Sequence, residues 1–241
     1  MTKLENQSLT YRFLTEELAQ EYSGIRTACG WAIEDVTRSG RAGLGLYAGG
    51  ECCYAQFSKL FDAVTEAYHW HNLDWPHPTN WALEEQLVNP DPHGRFIQST
   101  RIRVARNFAG VPFPAAISLQ QRLEQEAVVK EVLETHLNGR YYPLRTMPSK
   151  IKYILQRQRS QLYYGDHYME RGGFNRHWPH GRGVFVHRSH QLFIWFGEED
   201  FLRIISVAFD TDLAAVFQRL THTVATLEQV FDFATDERYG Y

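Results

Sequence analysis

Residues 181–207 read GRGVFVHRSHQLFIWFGEEDFLRIISV, and this stretch decides the fold. It contains three short apolar runs that are rich in β-branched and aromatic residues, at Val184–Val186, Leu192–Phe196 and Phe201–Val207. Polar clusters of the strand-breaking type separate the runs. Because such residues fit a pleated surface and the runs are short, the pattern predicts a three-stranded antiparallel meander.

A compact acidic triplet, Glu198, Glu199 and Asp200, lies between the second and third runs. If the chain is extended from Glu199 to Arg203, both side chains point to one face and lie roughly 13 Å apart. A carboxylate pairs well with a planar guanidinium. The carboxylate can also orient the guanidinium and accept its proton. A guanidinium needs both before it can act as a nucleophile, because its pKa is above about 12. The triplet is a candidate catalytic site, although a turn that is acidic only for solubility has the same composition.

A second polar pattern precedes the meander, in FIQSTRIRVARNF at residues 96–108. Strict alternation of polar and apolar residues predicts a strand here. The residues predicted on one face are Ser99, Arg101 and Arg103, and those on the other are Thr100, Ile102 and Val104. The two guanidinium groups would then project side by side, about 7 Å apart. Either an anionic ligand or carboxylate partners in the fold would explain them, and we favour the ligand.

Charge is unevenly distributed along the chain. Residues 140–188 carry 10 Lys/Arg and 2 Asp/Glu, although the formal net charge of the chain is −3. Such a basic block attracts phosphate groups, but a solvated basic face that balances acidic neighbours explains it as well. No recognisable nucleic-acid-binding module accompanies the block, so we expect no nucleic-acid partner.

Several classes of protein and site are disfavoured. No apolar run is long enough for a bilayer and residues 1–8 lack the apolar centre of a signal peptide, so we expect no membrane association and a cytoplasmic location. The cysteines, Cys29, Cys52 and Cys53, are odd in number, which favours reduced and inert thiols. The 11 histidines show no HExxH or Cys/His ligand spacing, so we predict no metal site.

The chain is long enough for two domains. Helical periodicity in residues 15–22, 31–37 and about 51–68 predicts a small all-helical domain over residues 1–75. The proline-containing stretch HNLDWPHPTNW at residues 71–81 is the candidate linker.

Residues 76–241 are predicted to form a second domain, with helices beside the antiparallel sheet. A capping-box pattern at Ser118 opens a helix that extends to about Asn138. Further helices are predicted over residues 149–162 and 212–231. We expect residues 141–143 to be a short connection and residues 165–182 to be a loop. The predicted class is therefore α+β.

Residues 42–50, AGLGLYAGG, hold four glycines in nine positions. This density is unsuited to the interior of a helix or strand and allows a ligand to approach the backbone closely.

Several motifs in order, STRIRVARN, YYPL, WPHGRGVFV, FIWFGEEDFLRIISV, VFQRL and DERYGY, resemble those of the phosphagen kinases, the ATP:guanidino phosphotransferases. The segments TACGWAIEDVTRSG, GLGLYAGG and KLFDAVTEAYH extend the resemblance to the N-terminal region, where it is most like the arginine kinases. The resemblance covers nearly all 241 residues.

The resemblance implies a helical guanidino-substrate domain and a catalytic domain of the glutamine synthetase/guanidino kinase type. The family fold continues past DERYGY, so we expect the catalytic domain to be incomplete at its C-terminus. The implied activity is transfer of a phosphoryl group from ATP to a guanidino substrate, L-arginine to give phosphoarginine. Mg²⁺ would be held mainly by the nucleotide phosphates. The alternatives are a protein-arginine kinase, or a truncated, inactive member that binds only nucleotide or a partner. No pattern predicts an oligomeric state.

Site residues follow by motif match. Glu199 would hold the acceptor guanidinium and act as base, with Glu198 and Asp200 beside it as catalytic residues. The nucleotide-binding residues would be Ser99, Thr100, Arg101, Ile102, Arg103, His187 and Arg203. The substrate-binding residues would be Gly43, Leu44, Gly45, Leu46 and Tyr47, together with Glu199. The sequence departs from the family at Val186, where a histidine beside the adenine is usual, and at Gly197 and Phe201, where asparagine and histidine are usual.

Overall fold

The N-terminal region is helical in the structure, a computed structural model that describes residues 8–40, 45–77, 80–82 and 87–240. The helices are α1 (Leu9–Phe13), α2 (Glu16–Glu21), α3 (Ile33–Thr37), α4 (Cys52–Gln56) and α5 (Ser58–His69). Their buried side chains form one apolar core, which Ala115 and Phe174 join from the following region. The predicted boundary after residue 75 is therefore crossed by apolar packing, and the boundary itself stays a prediction.

Two details of this region differ from the prediction. The single helix expected over residues 51–68 is divided at Phe57, where φ is −116° and ψ is 34°. Phe57 is fully buried, and its ring lies 5.1 Å from that of Tyr22. The break turns this side chain into the core, an effect of tertiary packing that periodicity does not reveal. Helix α1 was not predicted at all.

The following region is built on a five-stranded antiparallel sheet, which confirms the predicted α+β class. The strands are β1 (Thr100–Arg106), β2 (Gly139–Pro143), β3 (Gly183–His187), β4 (Leu192–Phe196) and β5 (Leu202–Ala208). Their spatial order is β1-β5-β4-β3-β2, so β3, β4 and β5 form the predicted meander. β2 replaces the expected short connection because Tyr141 is buried in the core. Pro143 is tolerated because it ends a strand at the sheet edge.

Helices cover both faces of the sheet. They are α6 (Leu119–His136), α7 (Ser149–Arg157) and α9 (Leu213–Glu228), with a short 3₁₀ turn at Leu144–Thr146. The remaining helix of this region, α8 (His167–Gly172), packs Met169 against the N-terminal core instead. Val129 of α6 and Leu220 of α9 belong to the core on one face. Leu155 of α7 packs against Val184 and Trp195 on the other face. On this second face, the edge formed by β1 and β5 carries the exposed arginines Arg101 and Arg103.

The helix ends show which local signals were informative. The Ser118 hydroxyl accepts the N–H of Gln121 at 3.2 Å, which confirms the predicted capping box. α7 stops before residue 162, as the chain turns at Arg159 with a φ of 51°. α8 lies inside the segment predicted as a loop, and Asp166 caps it by accepting the N–H of Tyr168 at 2.9 Å. No helix in the described part of the chain is both long and apolar enough to cross a membrane.

A carboxylate fixes the turn that leads into β1. Asp91 accepts the backbone N–H groups of Ile97 at 2.8 Å, Phe96 at 2.6 Å and Arg95 at 3.1 Å. These hydrogen bonds, that from Ile97 foremost, lower the pKa of Asp91. The turn therefore helps to set where β1 begins, and with it the face on which Arg101 lies.

Asp91→Asn should destabilise the fold at neutral pH, because the amide replaces a charged acceptor. A carboxyl whose folded-state pKa is lowered contributes stability above its unfolded pKa and loses that contribution as the pH falls through the folded pKa. The gap between wild type and variant in urea unfolding should therefore be fully present near pH 7 and shrink progressively as the pH falls below about 4, the unfolded pKa of aspartate. Asp74→Asn, at an exposed side chain, is the control and should produce no gap. A gap that persists in acid would contradict this role of Asp91.

Candidate active site

The acidic triplet lies in a tight turn between β4 and β5. Gly197 begins the turn with a φ of +80°, a conformation that favours glycine. Its N–H donates to the carbonyl of Phe201 at 3.0 Å. The backbone thus reverses direction over Glu198, Glu199 and Asp200, and the three carboxylates gather beside the start of β5.

Arg203 reaches back from β5 to this turn. Its guanidinium lies 2.9 Å from Asp200 Oδ2 and 3.4 Å from Glu199 Oε2, and it also pairs with Glu198. The predicted separation of roughly 13 Å between Glu199 and Arg203 is therefore wrong. That prediction assumed an extended chain, whereas the turn at Gly197 brings the two side chains together.

The turn carries excess negative charge in a partly buried place. Burial raises the pKa of Glu198 and of Asp200, while Arg203 opposes that effect for both. Burial would lower the pKa of Arg203, but its carboxylate neighbours outweigh this and raise it. Three carboxylates share one arginine, so the turn is suited to binding a second cationic group.

Tyr47 connects the helical region to this turn. Its hydroxyl donates to Glu199 Oε1 at 3.0 Å, and its ring contacts Phe174 at 4.6 Å between centroids. Burial and the charge of Glu199 raise the pKa of Tyr47, so the hydroxyl stays protonated. The structure therefore brings together two residues predicted for the acceptor site.

The remaining residues of the predicted glycine loop are only partly described. Gly45 and Leu46 are half-buried on the segment that precedes Tyr47. Gly43 and Leu44 lie outside the described residues.

Three arginines share one face of the sheet, next to the acidic turn. β1 pairs with β5 so that Arg101 is opposite Val207, Arg103 is opposite Ile205 and Ala105 is opposite Arg203. Residues opposite one another in an antiparallel pair point to the same face. The predicted alternation is thereby confirmed, with Arg101 and Arg103 exposed.

These arginines differ in how they are held. Arg101 donates to the carbonyl of Arg159 at 3.2 Å. The Arg103 side chain has no hydrogen-bond or ion-pair partner among residues 8–40, 45–77, 80–82 and 87–240. The Arg203 guanidinium lies 5.8 Å from the ring of Trp195, its neighbour on β4. The exposed guanidinium groups of Arg101 and Arg103 lie in a row with that of Arg203, which the acidic turn holds in place. Such a row is suited to binding the oxygens of a polyphosphate.

Three of the other residues predicted for nucleotide binding, Thr100, Ile102 and His187, lie away from this face. Ile102 packs into the core on the opposite face, and the Thr100 hydroxyl donates to the carbonyl of Asp210 at 3.0 Å. Ser99 is exposed just before β1. His187 ends β3 opposite Gly139, and its Nδ1 lies 2.8 Å from Ser189 Oγ. The structure does not bring Thr100, Ile102 and His187 to the arginines, and the nucleotide roles of all four residues stay predictions.

Two residues that support the turn were not predicted. Asn107, which follows β1, accepts the N–H of Phe201 at 3.0 Å and donates to Asp200 Oδ1 at 3.3 Å. Arg122 of α6 is fully buried and donates to the carbonyl of Gly197 at 3.3 Å. Asn107 lies in the STRIRVARN motif, which was a usable signal. Arg122 offered none, because an arginine on an amphipathic helix is expected to face solvent.

Family models and curated relatives match this chain along most of its length. The model described as "ATP:guanido phosphotransferase, C-terminal catalytic domain" matches residues 120–241, and that of the N-terminal domain matches residues 4–66. An arginine kinase of Anthopleura japonica is 36% identical over 98% of this chain, which spans 34% of that protein. Arginine kinase Lit v 2.0101 of Penaeus vannamei is 35% identical over 98% of this chain, which spans 68% of that protein.

Solved structures give the same picture. The duplicated taurocyamine kinase from Schistosoma mansoni, with transition-state analogue components, superposes with a TM-score of 0.90 at 27% identity. That comparison covers 99% of this chain and 35% of the kinase. A lombricine kinase superposes with a TM-score of 0.90 at 26% identity, over 100% of this chain and 70% of that protein. The chain thus spans about a third to two thirds of the length of these relatives.

Proposed function

This chain belongs to the ATP:guanido phosphotransferase family, and from that premise we propose that it transfers a phosphoryl group from ATP to a guanidino acceptor, L-arginine first. The observation that carries the proposal is the position of Glu199. Its carboxylate lies between the Tyr47 hydroxyl and Arg203, at the end of a sheet face that also holds Arg101 and Arg103. This arrangement supports a cation site next to a polyanion site.

The acidic turn is the acceptor side of this proposal. A guanidinium that binds Glu199 would be oriented by paired hydrogen bonds, and the carboxylate can take up the proton that its nitrogen loses. The Tyr47 hydroxyl donates to the same carboxylate, so it would help to hold Glu199 in place for the acceptor. Glu198 and Asp200 add negative charge that favours a cationic acceptor.

Arg101, Arg103 and Arg203 form the nucleotide side. Their side chains fit the phosphates of ATP because they share one sheet face and two of them are exposed. Mg²⁺ bound with those phosphates would supply further neutralisation of their charge. Phosphoryl transfer requires little covalent chemistry from the protein, so positioning and electrostatic stabilisation by these residues would provide most of the rate.

A coupled assay for ADP release tests the proposal on the 241-residue chain. The acceptors to compare are L-arginine, taurocyamine and lombricine, since the relatives above include kinases named for each. We expect ATP-dependent turnover, highest with L-arginine. Highest turnover with another guanidino compound would correct the acceptor and keep the reaction class.

Two outcomes would overturn the proposal. Phosphorylation of arginine side chains in a denatured protein, with the free acceptors ignored, would identify a protein-arginine kinase. Calorimetric ADP binding without turnover of any acceptor would identify this chain as a truncated, inactive member that binds only nucleotide.

A further inference from the structure

The three cysteines of the chain converge although they are distant in sequence. Cys29 lies in the turn before Trp31, and Cys52 and Cys53 are the first two residues of α4. Their sulfur atoms all lie within 4.8 Å of one another, and Cys29 Sγ is 3.8 Å from Cys53 Sγ. The chain contains 3 cysteines, so the cluster uses every thiol in the protein.

We propose that Cys29, Cys52 and Cys53 form a binding site for one thiophilic d¹⁰ cation of the Zn²⁺ type. Zinc–thiolate bonds of about 2.3 Å in tetrahedral geometry place sulfur atoms about 3.8 Å apart, which matches the Cys29–Cys53 separation. A disulfide needs sulfur atoms at about 2.05 Å and would leave one of the three thiols unpaired. The arrangement of three sulfurs therefore fits a shared cation better than a covalent pair.

Neighbouring polar groups support thiolate ligands. The N–H of Gly49 donates to Cys53 Sγ at 3.3 Å, and the Thr27 hydroxyl lies 3.1 Å from Cys29 Sγ. Outer contacts of this kind orient ligands and stabilise their charge. Zn²⁺ binds cysteine as the thiolate, so the cation would displace the thiol protons when it binds.

A cavity gives the cation access to the cluster. It has a volume of about 170 Å³ and is lined by Cys29, Cys52, Gly50, Glu51 and Val111, among others. Cys29 and Cys52 are partly exposed, whereas Cys53 is buried behind them. A water molecule in this cavity can complete four-coordination.

Sequence spacing concealed this site. Cys52 and Cys53 are adjacent and Cys29 is remote, so no familiar ligand motif is present, and the prediction of no metal site followed from that. The fold supplies the proximity instead. The inference does not depend on the proposed phosphoryl transfer, which uses none of the cysteines.

Titration of the reduced, metal-free 241-residue chain with Co²⁺, followed by displacement with Zn²⁺, tests the proposal. Thiolate-to-cobalt charge-transfer absorption should rise to one equivalent and disappear as Zn²⁺ replaces the probe. Cys29→Ser and Cys52→Ser should each weaken Zn²⁺ binding by about 100-fold or more, since even outer-contact changes cost 10–100-fold. Ala28→Ser adds a hydroxyl beside the cluster, keeps every sulfur and should bind as wild type does.

Three results would refute the site. The first is the absence of charge-transfer absorption in the reduced chain. The second is a Zn²⁺ affinity that is unchanged in both cysteine variants. The third is a chain that binds no Zn²⁺ when reduced and instead forms a disulfide, seen as a loss of two hydrogens in the intact mass. Circular dichroism of each variant verifies that it is folded, so a loss of binding can be assigned to the missing sulfur.

Discussion

Replacing Glu199 by glutamine is expected to lower the kcat/KM for phosphoryl transfer by about 10²–10⁴-fold. The amide keeps nearly the same shape, but it carries no charge to orient a guanidinium and accepts no proton. The hydrogen bond from Tyr47 can persist to the amide oxygen, so the fold should be retained. Steady-state kinetics in the ADP-release assay measure the effect.

Glu131→Gln is the matched control for Glu199→Gln. Glu131 is exposed on α6 and lies outside the candidate active site, so that variant should have wild-type kinetics. Calorimetry with ADP provides a second readout, because nucleotide binding through Arg101 and Arg103 should survive in Glu199→Gln. Full activity in Glu199→Gln would contradict the role given to this carboxylate.

Among the substitutions considered, Arg122→Ala should destabilise the fold most, lowering the free energy of unfolding by about 3–5 kcal/mol. The buried guanidinium donates to the carbonyls of Pro114 and Gly197, and its removal would leave both acceptors without this donor and a cavity beside them. Burial, with the charges of Arg182 and Arg176, lowers the pKa of Arg122, so the charge itself is a cost to the fold. The two hydrogen bonds and the packing must outweigh that cost.

Comparison with Arg122→Met separates these contributions. Methionine fills much of the volume but donates no hydrogen bond, so this variant should lose less stability than Arg122→Ala while still losing the anchor of Gly197. Arg188→Ala, at an exposed arginine, should change the free energy of unfolding by no more than about 0.5 kcal/mol. Urea denaturation compares the three. Equal stability of wild type and Arg122→Ala would show that the guanidinium does not support the acidic turn.

Local sequence patterns were sufficient to predict several strands and the face on which their side chains lie. Alternation placed Arg101 and Arg103 together on one face, and the apolar runs located β3, β4 and β5. β2 escaped prediction because it is short and contains a proline, and it forms a strand only because β3 lies beside it.

The sequence predicted which residues form the acidic turn and its arginine partner, but it did not predict their arrangement in space. The acidic triplet and Arg203 were identified, but the left-handed glycine at 197 turns an assumed extended stretch into a reversal. The support from Arg122 depends on contacts 75 residues away in sequence, which no local pattern reveals. The hydrogen bond from Tyr47 to Glu199 likewise joins residues that are far apart in sequence.

The pairing of Arg203 with the acidic turn has a thermodynamic consequence. The same guanidinium pairs with the carboxylates and shares a sheet face with Arg101 and Arg103, so under the proposed roles the two ligand sites would share one group. A phosphate that takes up Arg203 releases a carboxylate for a cation, and a cation at the turn releases Arg203 for a phosphate. Linkage then requires nucleotide and acceptor to raise each other's affinity by one common factor, typically 5–150-fold. Calorimetric titration of each ligand with and without the other measures that factor, and independent affinities would mean that Arg203 is not shared.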